Sequence, residues 1–288
     1  MKKIMAILMA TLMITGCSTT DTTSSTTAEP TATTTTATTT TNTLDAIKES
    51  GVLKVSVSPD YPPMEFMDAN NNPVGSDIAL AQYIADQLGV ELQIETMDFS
   101  ATLTAVDLDK VDMGISGFGW TEDREEQYEL SLEYNTDAEA ESGCNGIMVL
   151  SENVDKYETL DDFDGLTVAA QANSIQEEIT MSQTNAVVEK IATLDVGILE
   201  LQTGKIDGLT LSCTVAEGYA NSLDNLALAA PRFTVDEHLG NVVVVKKGQT
   251  ELIDAVNEIM EVVNSEGLYE QWYAEAVEEA TAIGIEFE

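Results

Sequence analysis

One short sequence pattern occurs twice in the chain, and this repeat limits the folds that the chain can adopt. KVDMGIS at residues 110–116 is matched by KIDGLTLS at residues 205–212. Each copy reads as a helix end, a Lys-Val-Asp or Lys-Ile-Asp turn, and a strand that closes on a serine. Because short β-rich runs alternate with helical runs elsewhere, an α/β fold is predicted. The repeat predicts two lobes built alike, unless the two connections resemble each other by chance.

The serines that close the two copies predict where a ligand binds. In open α/β sheets, ligands lie beyond the carboxyl ends of the strands. If the two lobes face each other, Ser116 and Ser212 are expected to point into the cleft between them.

Hydrophobic periodicity predicts the positions of the elements. Strands are predicted at residues 52–57, 90–96, 111–116, 166–170, 208–212 and 241–245. Helices are predicted at residues 102–110, 251–264 and 268–280. A further helix is predicted to begin with Ser76 as its cap, because residues 78, 81, 85 and 88 place apolar side chains on one helical face.

The first 17 residues predict a lipoprotein targeting segment. Lys2 and Lys3 precede an apolar run at residues 4–14, which is too short to span a bilayer as a helix. The run ends at a Gly-Cys pair that resembles a lipobox, in which the thiol of Cys17 is lipidated and this residue becomes the new N-terminus. Residues 1–16 are therefore interpreted as a lipoprotein signal peptide, with an ordinary signal peptide as the alternative.

The segment that follows is rich in threonine. Residues 17–43 contain the lipidated cysteine and a run of Thr, Ser and Ala with little apolar surface to bury. Such a composition predicts a disordered tether between the anchor and a globular body.

The charge of the chain excludes nucleic acid as a partner. Twelve basic residues stand against 51 acidic ones, for a formal net charge of −39. Removal of residues 1–16 takes away two lysines and no acids, which leaves a mature charge of −41 (10 − 51). Because such a surface repels anions, contact with a membrane is expected through the lipid anchor only. No cofactor or metal is expected, since the polar turn at residues 68–72 lacks the spacing of a calcium loop.

Cys144 and Cys213 form neither a CxxC pair nor a zinc spacing. They are interpreted as small buried or free thiols. Because the targeting segment places the protein outside the cytoplasm, a disulfide between them is the open alternative.

Five segments follow one another in a specific order. They are VSVSPDYPPMEF at residues 55–66, VGSDI at residues 74–78, SGFGWTEDR at residues 116–124, LDDFDGLTV at residues 160–168, and SEGLY with a following Trp at residues 265–272. In that order they resemble the extracytoplasmic solute-binding proteins (family 3) of polar amino-acid ABC importers. The resemblance covers the chain from residue 44 onward.

This resemblance implies a two-lobed periplasmic-binding-protein fold of type II, in which two α/β lobes are joined by two crossover strands. Lobe 1 is expected to comprise residues 44–137 and 235–288, and lobe 2 residues 138–234. The lobes are expected to close around a solute by a hinge motion.

The family assigns the α-carboxylate of the ligand to the arginine that matches Arg124. A guanidinium presents a planar fork that fits a carboxylate with two parallel hydrogen bonds. Ser116, Gly117 and Gly119 form the loop before it, where backbone N–H groups are able to face an anion. Gly119 departs from the family, which usually has Ser or Thr there. A surface arginine paired with neighbouring acids is the structural alternative.

The resemblance also assigns the remaining contacts of the ligand. Aromatic side chains are expected over its aliphatic part, and polar side chains near its distal group and carboxylate. These residues are Ser58, Tyr61, Phe99, Phe118, Gln171, Asn173, Ser174 and Ser212. For the loop at residues 171–174, a purely structural helix cap is the alternative.

Ser212 is a second departure, because the family has an aspartate there that holds the α-ammonium of the ligand. A buried ammonium without a carboxylate partner is costly. Glu139, Glu141 or Glu217 is therefore predicted to replace it, unless the ligand lacks a conventional α-amino group.

The sequence thus predicts a lipid-anchored, extracytoplasmic, monomeric binding protein. It is expected to capture an amino acid or a similar small carboxylate for an ABC permease complex. A ligand-sensing receptor lipoprotein is the alternative, and a cleft enzyme such as a dehydratase is the third class. Catalysis is not expected, because His238 is the only histidine and no nucleophilic triad is available.

Overall fold

The two copies of the repeat lie at the centres of two different sheets. The computed structural model describes residues 43–135, 144–235 and 240–287, all of which belong to one compact unit. Residues 113–114 form the central strand of one five-stranded sheet, and residues 208–212 that of another. The predicted α/β fold with two lobes is therefore confirmed.

Five strands form the sheet of lobe 1, namely β1 (Val52–Val57), β5 (Glu91–Thr96), β6 (Met113–Gly114), β7 (Tyr128–Leu130) and β13 (Val244–Lys246). Their order is β5-β1-β6-β13-β7. Strands β5, β1 and β6 run parallel, whereas β13 is antiparallel to both of its neighbours.

The sheet of lobe 2 repeats this arrangement with β8 (Asn145–Leu150), β9 (Thr167–Gln171), β10 (Val187–Ile191), β11 (Gly208–Ser212) and β12 (Leu226–Arg232). Its order is β10-β9-β11-β8-β12, with three parallel strands followed by an antiparallel one. The two lobes are therefore built alike.

A third, small sheet extends from lobe 1 and consists of β2 (Asp60–Tyr61), β3 (Glu65–Met67) and β4 (Pro73–Val74). The helices of lobe 1 are α1 (Thr43–Ser50), α2 (Ser76–Leu88), α3 (Phe99–Asp107), α4 (Glu122–Gln127), α8 (Thr250–Glu266) and α9 (Leu268–Ala282). The helices of lobe 2 are α5 (Ile175–Gln183), α6 (Leu194–Gln202) and α7 (Cys213–Ser222), with 3-10 turns at Ser151–Lys156 and Leu160–Phe163.

The aspartates of the two repeat copies make the same contacts. The carboxylate of Asp112 accepts a 2.8 Å hydrogen bond from the backbone N–H of Lys54, and its own N–H donates to the carbonyl of Lys54 at 2.9 Å. Asp207 makes the same pair of bonds with Thr167, at 2.9 and 2.8 Å. In each lobe the aspartate thus ties the repeat to the neighbouring parallel strand, so the repeat reflects shared local structure.

Each lobe has its own hydrophobic core. In lobe 1, fully buried side chains of β1, such as Leu53 and Val55, pack against α2 and α8. In lobe 2, residues such as Leu201 and Leu209 pack between the sheet and α6. Burial of each large aliphatic side chain stabilises the fold by about 1.5–3 kcal/mol.

The helix that begins at Ser76 is capped differently from the prediction. Its N-cap is Gly75, and the hydroxyl of Ser76 donates a 2.9 Å hydrogen bond to the hydroxyl of Tyr269 in α9. The prediction of Ser76 as the cap is therefore wrong, because its hydroxyl forms a hydrogen bond with Tyr269, which is distant in sequence. The strands predicted at residues 111–116 and 241–245 are also shorter, at 113–114 and 244–246.

Cys144 and Cys213 form a disulfide in this structure. The interpretation as free thiols is therefore wrong, and the alternative is correct. The register of β8 against β11 brings the two residues together, because Asn145 and Ser212 are the last paired residues of this ladder.

The segment after α9 contacts lobe 2. The N–H of Glu286 donates a 3.0 Å hydrogen bond to the hydroxyl of Ser222 at the end of α7. The ring of Phe287 lies so close to Gly218 of α7 that a Cβ at that glycine would stand 2.7 Å from it. This segment therefore links the two lobes through packing and a hydrogen bond.

Several sequence predictions concern residues outside the described ranges. They include the signal peptide, Cys17, nearly all of the tether, Glu139, Glu141 and His238. The predicted lobe boundary at residues 137 and 138 lies there too, and the boundaries stay predictions. Within the described ranges, no helix is both long and apolar enough to cross a membrane.

Candidate functional site

A cavity of about 600 Å³ lies between the two lobes. From lobe 1 it is lined by Tyr61, Met64, Phe99, Gly117, Gly119, Trp120, Thr121, Glu122, Asp123, Arg124, Asn135, Gly240, Asn241 and Tyr273. From lobe 2 it is lined by Cys144, Asn145, Ile175, Gln176, Glu178, Ile179, Ser182, Gln183, Ser212, Thr214, Val215 and Thr234. Val235, at the predicted start of the second part of lobe 1, also lines it and packs against the core of lobe 2. This volume is typical of pockets for small molecules.

Arg124 lies in the first turn of α4, with its guanidinium between the lobes. The hydroxyl of Thr121 caps this helix by accepting a 3.1 Å hydrogen bond from the N–H of Arg124. One terminal nitrogen of Arg124 donates to the carbonyl of Gly119, and the other donates to the carbonyl of Asn173 in lobe 2 at 3.0 Å. The side chain also lies over the ring of Phe118, 5.6 Å from its centroid. Arg124 is thus held in position from three sides.

Among the described residues no carboxylate lies within 4.0 Å of Arg124, although the charge of Glu178 acts on it from farther away. The residue is only 7% exposed. Burial lowers the pKa of Arg124 to about 10, which leaves the guanidinium protonated at neutral pH. Its two bonds to carbonyl groups use two of its five N–H donors. The site therefore holds a buried cation with donors left for an anion.

The loop before α5 presents the carbonyl of Asn173 to Arg124. Asn173 adopts a left-handed backbone conformation with φ of 65°. Its N–H donates to the carboxylate of Glu177 at 2.8 Å. The hydroxyl of Ser174 caps α5 by accepting a 3.1 Å hydrogen bond from the N–H of Glu177. Ser174 and Asn173 lie outside the cavity lining, and the predicted contacts of this loop with a ligand stay predictions.

Tyr61 and Ser212 connect the two lobes at another wall of the cavity. The hydroxyl of Tyr61 accepts a 3.1 Å hydrogen bond from the backbone N–H of Ser212. Burial raises the pKa of Tyr61 to about 12, so this hydroxyl stays neutral. The hydroxyl of Ser212 caps α7 through the N–H of Val215 at 3.4 Å. Both residues line the cavity, but the hydroxyl of Ser212 is already engaged as the N-cap of α7.

Asp60 in lobe 1 forms hydrogen bonds within its own lobe and to lobe 2, and it was not predicted as a site residue. Its carboxylate accepts hydrogen bonds from the N–H of Leu194 at 2.7 Å and from the side-chain amide of Gln171 at 3.0 Å, both in lobe 2. It also accepts a bond from the hydroxyl of Ser58 at 2.9 Å. Burial raises the pKa of Asp60. Ser58 and Gln171 therefore face Asp60 and lie outside the cavity lining.

Ser116 and Gly117 take part in a buried network of lobe 1. The hydroxyl of Ser116 accepts a bond from the N–H of Ser58 at 2.9 Å and donates to Glu65 at 3.0 Å. The N–H of Gly117 donates to Asp77 at 2.7 Å. The expectation that Ser116 points into the cleft is therefore wrong, whereas Gly117 lines the cavity and its predicted role towards the ligand stays a prediction.

Glu65 and Asp77 form a buried pair of carboxyl groups behind this loop. Asp77 accepts hydrogen bonds from the hydroxyls of Tyr269 at 2.7 Å and Tyr134 at 3.1 Å. Oε2 of Glu65 has no donor among the described residues while both carboxyl groups are ionised, and a proton on the pair lets Glu65 and Asp77 hydrogen-bond to each other. Burial, and then the charge of Asp77, raise the pKa of Glu65 well above its ordinary value. We assign the shared proton of the pair to Glu65, because Asp77 has more donors around it.

Gly119 has a structural reason for departing from the family. A Cβ at this position would collide with Cδ1 of Ile175, which reaches across from lobe 2. The space of the absent side chain is therefore filled by Ile175, and the cavity at this point is apolar. The neighbouring Phe99 lines the cavity, while Phe118 is fully buried behind it, with ring centroids 5.0 Å apart.

The acids that line the cavity differ from those predicted as an amine anchor. Glu122, Asp123 and Glu178 line it. Glu217 is exposed on α7 and is not among the lining residues. Among the described residues, no cluster of His, Cys, Asp or Glu is able to hold a metal ion.

Sequence reasoning missed Asp60, Asn145, Ile175 and Glu178. Asp60 precedes Tyr61 directly, and Ile175 follows Ser174. Their roles depend on a partner in the other lobe, which no local pattern indicates. The change to glycine at position 119 was the one available signal for a bulky residue opposite it.

Residues 53–278 match the pattern of the bacterial extracellular solute-binding proteins, family 3. The chain belongs to this family. Every lining residue of this solute-binding protein lies within the matched range.

The relatives include transport proteins and an enzyme. The arginine-binding extracellular protein ArtP of Bacillus subtilis (strain 168) is 28% identical over 235 residues, which cover 78% of this solute-binding protein and 88% of ArtP. An amino acid ABC transporter substrate-binding protein from Streptococcus pneumoniae Canada MDR_19A, solved bound to L-arginine, is 31% identical with a TM-score of 0.75, over 81% and 96% of the two chains. The cyclohexadienyl dehydratase of Pseudomonas aeruginosa is 30% identical over 130 residues, or 45% of this solute-binding protein and 46% of the enzyme.

Proposed function

We propose that this protein binds an amino acid in the cavity between its lobes and presents it to an ABC importer. The observation that carries the proposal is Arg124, whose buried guanidinium has no carboxylate partner among the described residues. An unpaired buried charge is costly, and the carboxylate of a solute offsets that cost with two parallel hydrogen bonds. Arg124 is therefore the anchor for the carboxylate end.

The rest of the cavity offers the solute a neutral or acidic surface. Ser212 replaces the aspartate of the family, and Glu178, whose charge also acts on Arg124, lines the cavity from lobe 2. An ammonium or guanidinium group is attracted to such a surface, whereas the carboxylate side chain of an acidic amino acid is repelled. L-arginine is the first candidate, since ArtP is named as arginine-binding and the pneumococcal relative was solved bound to L-arginine.

Closure of the lobes is supported by three contacts that each join one lobe to the other. They are the bonds of Arg124 to Asn173, of Tyr61 to Ser212, and of Asp60 to Leu194. All three break if the lobes separate, so they favour the closed state and act together with a bound solute.

The remaining parts of the proposal rest on the sequence. Lipidation of Cys17 anchors the protein outside the cytoplasm, and residues 17–43 act as its tether. The anchored protein is a monomer. The alternative function is that of a ligand-sensing receptor lipoprotein, whose partner is a membrane signalling protein instead of a permease. Co-purification with a permease supports transport, and co-purification with a membrane kinase supports sensing.

Binding of the solute is tested by calorimetry and thermal shift with a panel of amino acids. A ligand that binds only the native state raises its thermal stability. Arg124→Ala is expected to weaken binding of L-arginine by at least about thirtyfold, and Arg124→Lys by about tenfold because lysine lacks the planar fork. Arg232→Lys is the matched control, since Arg232 bonds to carbonyls of its own strand and does not line the cavity.

The outcome that contradicts the proposal is equal affinity of wild type and Arg124→Ala, or the absence of a shift with any amino acid. The dehydratase likeness is tested in the same samples. Turnover of the bound solute would favour an enzyme, and its unchanged recovery supports a binding protein.

A further inference from the structure

The disulfide between Cys144 and Cys213 lies at the wall of the cavity. It joins two residues that are 69 positions apart. Cys144 lines the cavity and precedes β8, while Cys213 is buried at the first position of α7. Their neighbours Asn145 and Ser212 also line the cavity. The cross-link therefore touches both elements of this wall.

The disulfide extends the ladder between β8 and β11 by one pair. Asn145 lies opposite Ser212 in this antiparallel ladder. Beyond that pair, the N–H of Cys213 donates a 2.9 Å hydrogen bond to the carbonyl of Cys144. The ends of such ladders open most easily, because their last bonds have neighbours on one side only. The disulfide closes the ladder at its cavity end.

This end of the ladder holds two groups of the site in place. The N–H of Ser212 donates to the hydroxyl of Tyr61 in lobe 1. The side chain of Asn145 accepts a 2.8 Å hydrogen bond from the amide of Gln176, and both residues line the cavity. Displacement of the ladder end therefore changes the wall of the cavity and one contact between the lobes.

We propose that the Cys144–Cys213 disulfide is a positioning element of the binding site, which holds the wall formed by Asn145 and Ser212 in its binding conformation. This inference rests on the proposed function, because it concerns the affinity of the same cavity. It assigns to the disulfide a role in binding that is separate from its contribution to the stability of lobe 2.

The expected change in the dissociation constant follows from the fraction of molecules whose cavity wall is in its binding conformation. The dissociation constant rises in inverse proportion to the fraction of molecules whose wall is ordered. If the wall is ordered in one tenth of reduced molecules, the dissociation constant rises about tenfold.

Reduction is carried out with a dithiol reagent. A thiolate of the reagent attacks one cysteine sulfur, the bond between the two protein sulfurs breaks, and the second thiol of the reagent then displaces the mixed disulfide. The two protein sulfurs gain two electrons and two protons, and the reagent is oxidised to its own disulfide. Because Cys144 lines the cavity, the bond is accessible when the lobes open.

The experiment compares the oxidised protein, the reduced protein and the Cys144→Ser/Cys213→Ser double variant. Hydrogen exchange of the solute-free proteins measures the opening of residues 144–150 and 208–215. Calorimetry measures the dissociation constant for L-arginine. Leu201→Ala is the matched control, because Leu201 is fully buried in the core of lobe 2 and lies outside the cavity lining.

The inference expects faster exchange in both segments and a dissociation constant about tenfold higher for the reduced protein and for the double variant. Leu201→Ala is expected to lower the melting temperature without changing this constant. Unchanged exchange at the two segments after reduction overturns the inference. An unchanged dissociation constant overturns it too. So does a dissociation constant that rises as much in Leu201→Ala as in the double variant. If the oxidised protein does not bind L-arginine, the choice of that solute in the proposed function fails, while the exchange measurement still decides whether the disulfide holds the wall.

Discussion

The carboxylate of Asp60 in lobe 1 accepts a 2.7 Å hydrogen bond from the backbone N–H of Leu194, the first residue of α6 in lobe 2. The first N–H groups of a helix have no partner within the helix and favour a negative charge. Asp60 thus stabilises the end of a helix in the opposite lobe. The closed arrangement of the lobes gains a contact that does not depend on a solute.

Asp60→Ala is expected to weaken solute binding about fivefold to tenfold, because the loss of a charged hydrogen bond costs about 1–1.5 kcal/mol in the closed state only. Calorimetry measures the affinity, and small-angle scattering measures the closed fraction. Asp254→Asn is the control, since Asp254 is exposed on α8 and does not line the cavity. Equal affinities for wild type and Asp60→Ala would show that this contact does not contribute to closure.

Gly119 and Ile175 predict a pair of substitutions that compensate each other. Gly119→Ser places a side chain against Cδ1 of Ile175 and is expected to weaken binding about tenfold, because overpacking costs about 1–3 kcal/mol. Ile175→Ala in the same chain removes the collision, so the double variant is expected to regain most of the affinity. A double-mutant cycle measures this coupling. Additive effects of the two substitutions would contradict the packing argument.

Glu65 predicts a dependence of stability on pH. Its pKa in the folded protein is raised above the ordinary value of 4.5 by burial and by Asp77. The folded state therefore binds this proton more tightly than the unfolded state. The resulting stabilisation is full below about pH 4.5 and is lost as the pH rises through the raised pKa.

Glu65→Gln has no proton to lose at this position. The free energy of unfolding of the variant, relative to wild type, is therefore expected to rise as the pH increases above 4.5. Urea unfolding between acidic and slightly alkaline pH measures this difference, with Glu91→Gln as an exposed control. A difference that stays constant over the whole range would contradict a raised pKa.

Gly75 predicts a large loss of stability upon substitution. Its φ is 122°, and a Cβ would stand 2.8 Å from the carbonyl oxygen of Pro63 and closer still to the backbone of Met64. Gly75→Ala is expected to cost about 2 kcal/mol or more, since backbone atoms cannot move aside as a side chain does. Gly89→Ala, at φ of 74° with open space around it, is expected to cost about 1 kcal/mol. Thermal unfolding compares the two, and equal losses would contradict this reasoning.

Local patterns predicted most of the elements, because the periodicity of a strand or helix is set within the segment itself. The strand at residues 52–57 and the helices near residues 251–264 and 268–280 were found from such patterns. The repeat predicted two lobes built alike, since Asp112 and Asp207 perform the same local task.

Predictions failed where a side chain has a distant partner. Ser76 was expected to cap its helix, but its hydroxyl bonds to Tyr269, 193 residues away. Ser116 was expected to point into the cleft, but its hydroxyl donates a hydrogen bond to the buried carboxyl group of Glu65. Cys144 and Cys213 were interpreted as thiols, because their pairing depends on the register of two strands that the sequence does not specify. Such partners depend on how the chain folds back on itself.

The two sheets differ in how the chain supplies them. All five strands of lobe 2 come from residues 145–232 without interruption, whereas lobe 1 takes strands from both sides of that stretch. Lobe 2 is therefore a candidate for excision as an autonomous fragment that carries its own disulfide. Lobe 1 has no such fragment, because it is complete only when two separate parts of the chain meet. A ribosome making this protein finishes the inserted lobe before the lobe that surrounds it.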